Sequence, residues 1–274
     1  MHNPKYFLQL MRPLHERPWL MAPVVLLMVG LHLCATPAWS AGLPDDEGAQ
    51  RALAVELLAA TDRARGGGLP GIQWSATVAT VENGREQYQE LTVEARGPDS
   101  LVTFEAPARI RGQRLLMRGR NLWFVRPDVR RPVPISPRQR LMGAAATGDV
   151  AATNYADDYE AVDLWQDACK ESQCYVLDLH AAHTDVTYAR ILYWVDQRTR
   201  LGVRAEFYAQ SGRHFRSAEF EYNNQISFQD TDVPFVSRMR IVDELTGDVT
   251  TLSYRDPEAV SIPARRFDPQ NLVR

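Results

Sequence analysis

The sequence predicts an α+β fold that is mainly β: an incomplete, half-open antiparallel β-barrel of about eleven strands with a helical lid. Three observations predict it. From residue 71 onward, apolar and polar residues alternate with period two in short runs bounded by turn residues, as in half-buried strands. Most connections between the runs are too short for crossovers, so the strands pair antiparallel. One amphipathic helix precedes them all, and a twisted sheet of this size curls and needs one face covered.

The chain opens with a basic leader of Lys5, Arg12 and Arg17, followed by an uncharged apolar run from Trp19 to Ala35. Ala38-Trp39-Ser40 then places small residues before Ala41, so residues 1–40 read as a signal peptide cleaved after Ser40. Residues 41–274 are then a single β-barrel domain in the periplasm. An uncleaved anchor is the main alternative, since the run approaches the lower limit of about 17 residues for a spanning helix. A lipidated Cys34 is another, opposed by the bulk of Leu33 just before it.

Asp45 and Asp46 offer a cap for a helix over residues 50–65, with Leu53, Leu57 and Leu58 on one face and Gly66-Gly67-Gly68 as its stop. Residues 71–81 and 85–96 alternate around the turn Glu82-Asn83-Gly84 and form the first hairpin. Strands follow over residues 101–105, 114–118 and 122–126. After a long loop come strands over 174–181, 186–195, 201–209, 213–222, 236–243 and 249–254, with a short helix between residues 149 and 159.

The inward faces of these strands would form an apolar lumen. It would be lined by Trp74, Val78, Leu91 and Val93 from the first hairpin, and by Phe104, Met117 and Phe124 from the next three strands. Leu177, Leu179, Leu192, Trp194, Phe207, Met239 and Ile241 would complete it from the second half. The same residues could instead fill a dry core, so apolar periodicity alone leaves the lumen and the core as alternatives.

The long segment from Leu122 to Val162 does not read as an ordinary turn. It carries four prolines and five arginines, then small residues, then the acidic-aromatic run Asn154 to Tyr159. Structured loops of this length in compact domains are usually functional. Arg126, Arg130, Arg131, Arg138 and Arg140, with Met142, Asn154, Tyr155, Asp158 and Tyr159, are the candidate gate or docking residues. Asp157, Asp158 and Glu160 are close enough in sequence to pair with those arginines and hold the loop closed. A solvated basic loop without a role is the alternative.

Cys169 and Cys174 flank a polar four-residue turn, as expected of a disulfide that staples a hairpin; free thiols or a redox pair are the alternatives. The net charge is −3, which gives no reason to expect nucleic-acid binding. No nucleophile elbow or phosphate-cradling glycine loop is present, and His180 and His183 fall on opposite strand faces. The chain therefore reads as a non-enzyme with no catalytic residues, no metal and no cofactor.

Trp123-Phe124, Pro127, Arg130-Arg131, Ile135-Ser136, Arg140, Met142-Gly143, Asn154-Tyr155 and Asp158-Tyr159 together resemble the outer-membrane lipoprotein-sorting protein family, distant relatives of LolA/LolB-type carriers. The likeness covers residues 107–162, and Cys174 to Leu179 resembles a strand common in that family. Leu141-Met142-Gly143-Ala144 departs from the family's usual Phe-Met-Gly-Ser, and Ala-rich residues are inserted through Ala152. The resemblance implies a LolA/LolB-like half-barrel and a periplasmic carrier for a lipidated protein or lipid. Its partners would be an inner-membrane transporter, ABC-type or proton-driven, and an outer-membrane acceptor. The alternative is a non-catalytic module that docks on a protein through the basic loop 126–140.

Overall fold

Asp46 starts the only long helix of the described residues by accepting a hydrogen bond from the Ala49 amide at 2.8 Å. The computed structural model describes residues 42–82, 85–129, 131–151, 154–170, 172–228 and 231–273. The signal-peptide reading of residues 1–40, with cleavage after Ser40, and the candidate Arg130 lie outside the described residues. Helix α1 (Glu47–Arg63) buries Ala54, Leu57, Leu58, Thr61 and Asp62. Gly66 ends it at φ +96°, where a Cβ would press on the Trp74 ring, so glycine alone fits that turn.

The chain then runs through β1 (Ile72–Glu82), β2 (Arg85–Arg96), β3 (Asp99–Ala106), β4 (Arg114–Arg118), β5 (Asn121–Val125) and β6 (Val133–Ile135) as an antiparallel meander. Two short strands, β7 (Arg140–Met142) and β8 (Ala145–Ala146), and two short helices, α2 (Thr147–Ala151) and α3 (Tyr155–Asp158), follow. A second meander comprises β9 (Tyr159–Cys169), β10 (Ser172–Ala181), β11 (Arg190–Asp196), β12 (Gly202–Tyr208) and β13 (His214–Glu221). After the hairpin β14 (Asn224–Phe228) and β15 (Thr231–Phe235) come β16 (Arg238–Asp243) and β17 (Val249–Ala259).

Thirteen strands form one sheet in the order β6-β5-β4-β3-β2-β1-β17-β16-β13-β12-β11-β10-β9. The pairing of β1 with β17 welds the two meanders together, from Ile72↔Ala259 to Thr80↔Thr250. The sheet does not close, and β6 and β9 are its two edges. These edges are neighbours in sequence, separated only by residues 136–158. The segment that reads as an oversized loop is therefore the crossover joining opposite edges of an open sheet, and that span sets its length.

One face of the sheet carries the main core, from Trp74, Val78, Leu91 and Val93 to Phe207, Phe220, Met239 and Leu252. On the opposite face of β3 to β5, Ile262, Phe267 and Leu272 of the C-terminal segment pack on Leu101, Leu116 and Val125. Arg114 Nη2 fastens this strap by donating to the Leu272 carbonyl at 2.6 Å, and Arg266 holds Glu94 with two nitrogens.

The large antiparallel open sheet with a helix on one face agrees with the predicted half-barrel, but it holds more strands than the eleven expected. β9 escaped because it is an edge strand: of its eleven residues only Tyr159 and Leu164 are buried, so it shows no alternation. The separate β14–β15 hairpin escaped as well, because Pro234 and the polar ends of the hairpin interrupt the period. The short helix expected between residues 149 and 159 is two separate turns, α2 and α3.

Candidate functional site

The candidate site is the inner face of the sheet together with what covers it. Trp74, Val78, Leu91, Val93, Phe104, Met117, Leu177, Leu179, Phe207, Met239 and Ile241 lie in one buried cluster there, with Phe124 packed at its margin. Leu192 and Trp194 do not join them, which corrects the expected lumen. They sit on the outer face with Val176 and the disulfide, whereas Ile191, Tyr193 and Val195 of the same strand face inward. Side chains alternate along a strand, and because both faces of β11 are apolar its sequence does not tell which face points inward.

The inner face is filled rather than hollow. Its cover consists of α1, the crossover and the β14–β15 hairpin, and neither β7–β8 nor β14–β15 belongs to the large sheet. Phe235 packs edge-on against Trp74 with centroids 5.5 Å apart, and the Val236 amide donates to the Ala64 carbonyl at 2.8 Å. Gly143, at φ +54°, brings the β7–β8 turn so close to the sheet that a Cβ would collide with the hydroxyls of Thr250 and Thr80. The Ala144 amide then donates to Thr250 Oγ1 at 2.8 Å.

Two buried carboxyls hold the rest of the crossover. Asp62, 5% exposed at the end of α1, accepts from the Tyr155 and Ala156 amides at 3.0 and 2.8 Å, so one helix caps the start of another. Burial pushes its carboxyl up to about 7, against the two amide bonds and the charge of Arg65, which lower it. Asp149, 3% exposed, accepts from the Tyr188 hydroxyl and the Ala146 amide, both at 2.7 Å, and burial raises its pKa as well. Arg65 is itself only 3% exposed, with its guanidinium 4.7 Å from the Tyr155 ring and 5.2 Å from that of Phe220.

The expected gate is consequently two different things. Met142, Tyr155 and Tyr159 are buried in the core rather than displayed at a mouth, and Tyr155 contacts Tyr159 and Tyr193 edge-on. Asn154 is half-buried at the start of α3. Asp158, raised to about 6 by burial, pairs with Arg120 from the β4–β5 turn at 3.7 Å rather than with a loop arginine. The described arginines have separate surroundings. Arg126 is neutralised by a two-nitrogen pair with Asp128, Arg131 is exposed, and Arg138 donates to the Val186 carbonyl at 2.9 Å. Arg138 and Arg140 line different rim grooves, of about 390 and 180 Å³.

Cys169 and Cys174 form the expected disulfide, closing the β9–β10 hairpin. Beside it, on the outer face, lies a groove of about 620 Å³ where Arg204 stacks on Trp194 at 4.4 Å. Among the described residues, no group of three or more His, Cys, Asp or Glu is placed to hold a metal ion. Asp62, Arg65, Asp149 and Tyr188 were not legible as site residues. A charged pair at the end of an amphipathic helix reads as solvated, and only the crossover's return over α1 buries it.

The model of a family described as an uncharacterized protein matches residues 97–274. No curated protein matches the chain. Among solved structures, a LolA superfamily protein from Nitrosomonas europaea is 30% identical over 77% of this chain and 96% of its own, with a TM-score of 0.68. A protein from Vibrio parahaemolyticus described as an outer membrane lipoprotein-sorting protein domain is 16% identical, with a TM-score of 0.69 over 80% of this chain and 98% of its own. A DUF1329 family protein from Desulfovibrio piger shares the fold at 18% identity and a TM-score of 0.68, covering 81% of this chain and 98% of its own. With the open sheet, its covered inner face and 30% identity across nearly the whole Nitrosomonas protein, the chain belongs to the LolA superfamily.

Proposed function

We propose that the protein is a periplasmic carrier that takes an acyl chain or other lipid, free or attached to a lipoprotein, onto the inner face of its half-barrel. It would shuttle this cargo from an inner-membrane transporter, ABC-type or proton-driven, to an acceptor in the outer membrane. One observation supports this reading above the others. The apolar inner face is covered by α1, the crossover and a hairpin whose strands lie outside the sheet, so the cover can lift while the sheet stays intact. Each acyl CH₂ removed from water contributes about 0.8 kcal/mol, so a long chain brings about 10 kcal/mol to replace the contacts of the displaced cover. The disulfide accords with an oxidising compartment.

The test is mass spectrometry of ligands extracted from protein purified out of its native periplasm. A lipid recovered in stoichiometric amount is the expected result, and folded protein that yields none would count against the carrier. A second reading, a protein-interaction module docking through residues 126–140, is favoured by the filled inner face and by exposed Arg131. Replacing Arg130 and Arg131 by Glu separates the two. Loss of membrane or transporter binding in protein that never contains lipid would support the module.

A further inference from the structure

The rim groove of about 390 Å³ lies where the crossover meets the end of β12 and the start of β13, and two arginines line it. Arg138 comes from the crossover, and its Nε donates to the Val186 carbonyl at 2.9 Å. That bond fixes the stem of Arg138 at the groove wall. Arg216 comes from β13 and faces inward, opposite fully buried Phe207. Its guanidinium lies 5.2 Å from the Phe215 ring, and its buried Nε has no hydrogen-bond partner. Buried guanidinium nitrogens normally have acceptors, so this Nε is a donor that an anion in the groove can use.

None of the nearby carboxyls hydrogen-bonds that Nε, and Asp149 acts on Arg216 only through its charge. Asp149 has one oxygen taken by Tyr188 and the other by the Ala146 amide. Asp243, opposite Arg216 on β16, accepts from the Leu245 and Thr246 amides of its own turn. Glu206 holds Arg204 and the Tyr208 hydroxyl. The groove also points somewhere. Its wall residue Tyr188 stacks flat on Phe207, with centroids 3.9 Å apart, and Phe207 belongs to the inner-face core. An anion held between the arginines would therefore have an aromatic path leading from it to the apolar face, with Ala146 and Ala209 as small walls beside it.

We propose that the groove between Arg138 and Arg216 seats the phosphate-class headgroup of an amphiphile whose chain enters the inner face along Tyr188 and Phe207. Guanidinium groups suit this role because their planar forks match tetrahedral oxyanions with two hydrogen bonds at once. The proposal rests on the carrier reading and narrows its cargo to lipids with an anionic head.

Calorimetric titration of the purified chain with dodecyl phosphate, dodecyl maltoside and inorganic phosphate, below micelle-forming concentrations, tests it. Dodecyl phosphate should bind at least about tenfold more tightly than the neutral maltoside, the ratio expected from charged hydrogen bonds. Arg216→Gln and Arg138→Gln should each remove most of that preference while leaving maltoside affinity unchanged, which also shows that the variants are folded. Equal affinity for both amphiphiles, or a preference that survives in the double variant, overturns the headgroup site. Inorganic phosphate binding as tightly as dodecyl phosphate reassigns the groove to free phosphate and overturns the lipid. Failure of both amphiphiles to bind removes the carrier reading itself and the headgroup assignment with it.

Discussion

Replacing Asp62 by Asn should change how stability depends on pH, and the sign can be worked from the structure. Asp62 accepts two amide bonds from the start of α3 while fully buried, and its carboxyl is raised from the ordinary 3.8 to about 7. A carboxyl raised on folding holds its proton more tightly in the folded chain. Its stabilising contribution is present below about 3.8 and is lost as pH rises through about 7. The displacement corresponds to about 4 kcal/mol lost between pH 4 and 8. Asn cannot titrate, so that part of the slope disappears from the variant. Its single oxygen serves both amides less well than a carboxyl does, at a cost of about 1–3 kcal/mol. Asp62→Asn should therefore be less stable than the native chain at pH 5 and at least as stable at pH 8.5. Arg65 and Asp158, the charged groups facing Asp62, remain in both proteins, so their contributions largely cancel. Urea unfolding followed by fluorescence at half-unit steps from pH 5 to 9 reads the two curves. Curves that stay parallel across the range refute the assignment of Asp62 as a buried, protonatable link between α1 and the crossover.

Reduction of the Cys169–Cys174 bond, or its double replacement by Ser, should cost about 2 kcal/mol, the chain-entropy value for a loop of five residues, measured by urea unfolding with and without dithiothreitol. Gly143→Ala should cost about 2 kcal/mol or more. It adds a Cβ at φ +54° against Thr250 and Thr80, so its midpoint should fall well below that of an Ala substitution at exposed Arg131. Phe207→Ala should cost about 3–5 kcal/mol, since Phe207 is fully buried on the inner face, while Val162→Ala on the edge strand should stay within about 0.5 kcal/mol. A titration of amphiphile into Phe207→Ala checks that residue's second role: stacked against Tyr188, it should weaken dodecyl phosphate and dodecyl maltoside alike.

Much of the sheet was legible because its strands obey period two wherever one face is wet. β2 and β4 have the bounds that alternation predicts, and the inward-facing choices on β1, β2 and β16 alternate with mostly polar neighbours. The pattern failed on β11, where Leu192 and Trp194 cover the disulfide hairpin from outside while Ile191 and Tyr193 face in. Both faces are apolar there, so alternation contains no sign. It failed on β9 for the opposite reason, since an edge strand with mostly exposed side chains has no apolar face to read. The charged residues of the site were harder still. Asp62, Arg65 and Asp149 become buried only through contacts between segments remote in sequence, such as the Tyr155 amide 93 residues from Asp62. No local window holds that information.

The crossover shows why a single segment can look like a loop and behave as part of the core. It leaves the sheet at β6, one edge, and returns at β9, the other, so it must traverse the open side whatever its sequence. A chain fixed at both edges cannot depart; it can only bow outward between them. Three contacts resist the bowing: the Gly143 turn against Thr250, Asp149 against Tyr188, and Asp62 against the start of α3. Two of the three are carboxyls that burial has pushed toward neutrality, and each keeps its place only while its amide donors stay close. In the proposed carrier, lifting the crossover would rehydrate both carboxyls, which recovers their solvation and offsets part of the apolar area exposed. A cover closed by all-apolar contacts would have no such refund. In the proposed carrier, acids beneath the crossover would lower the cost of opening without weakening the sheet, the property a half-barrel needs if its inner face is to exchange its own cover for a lipid.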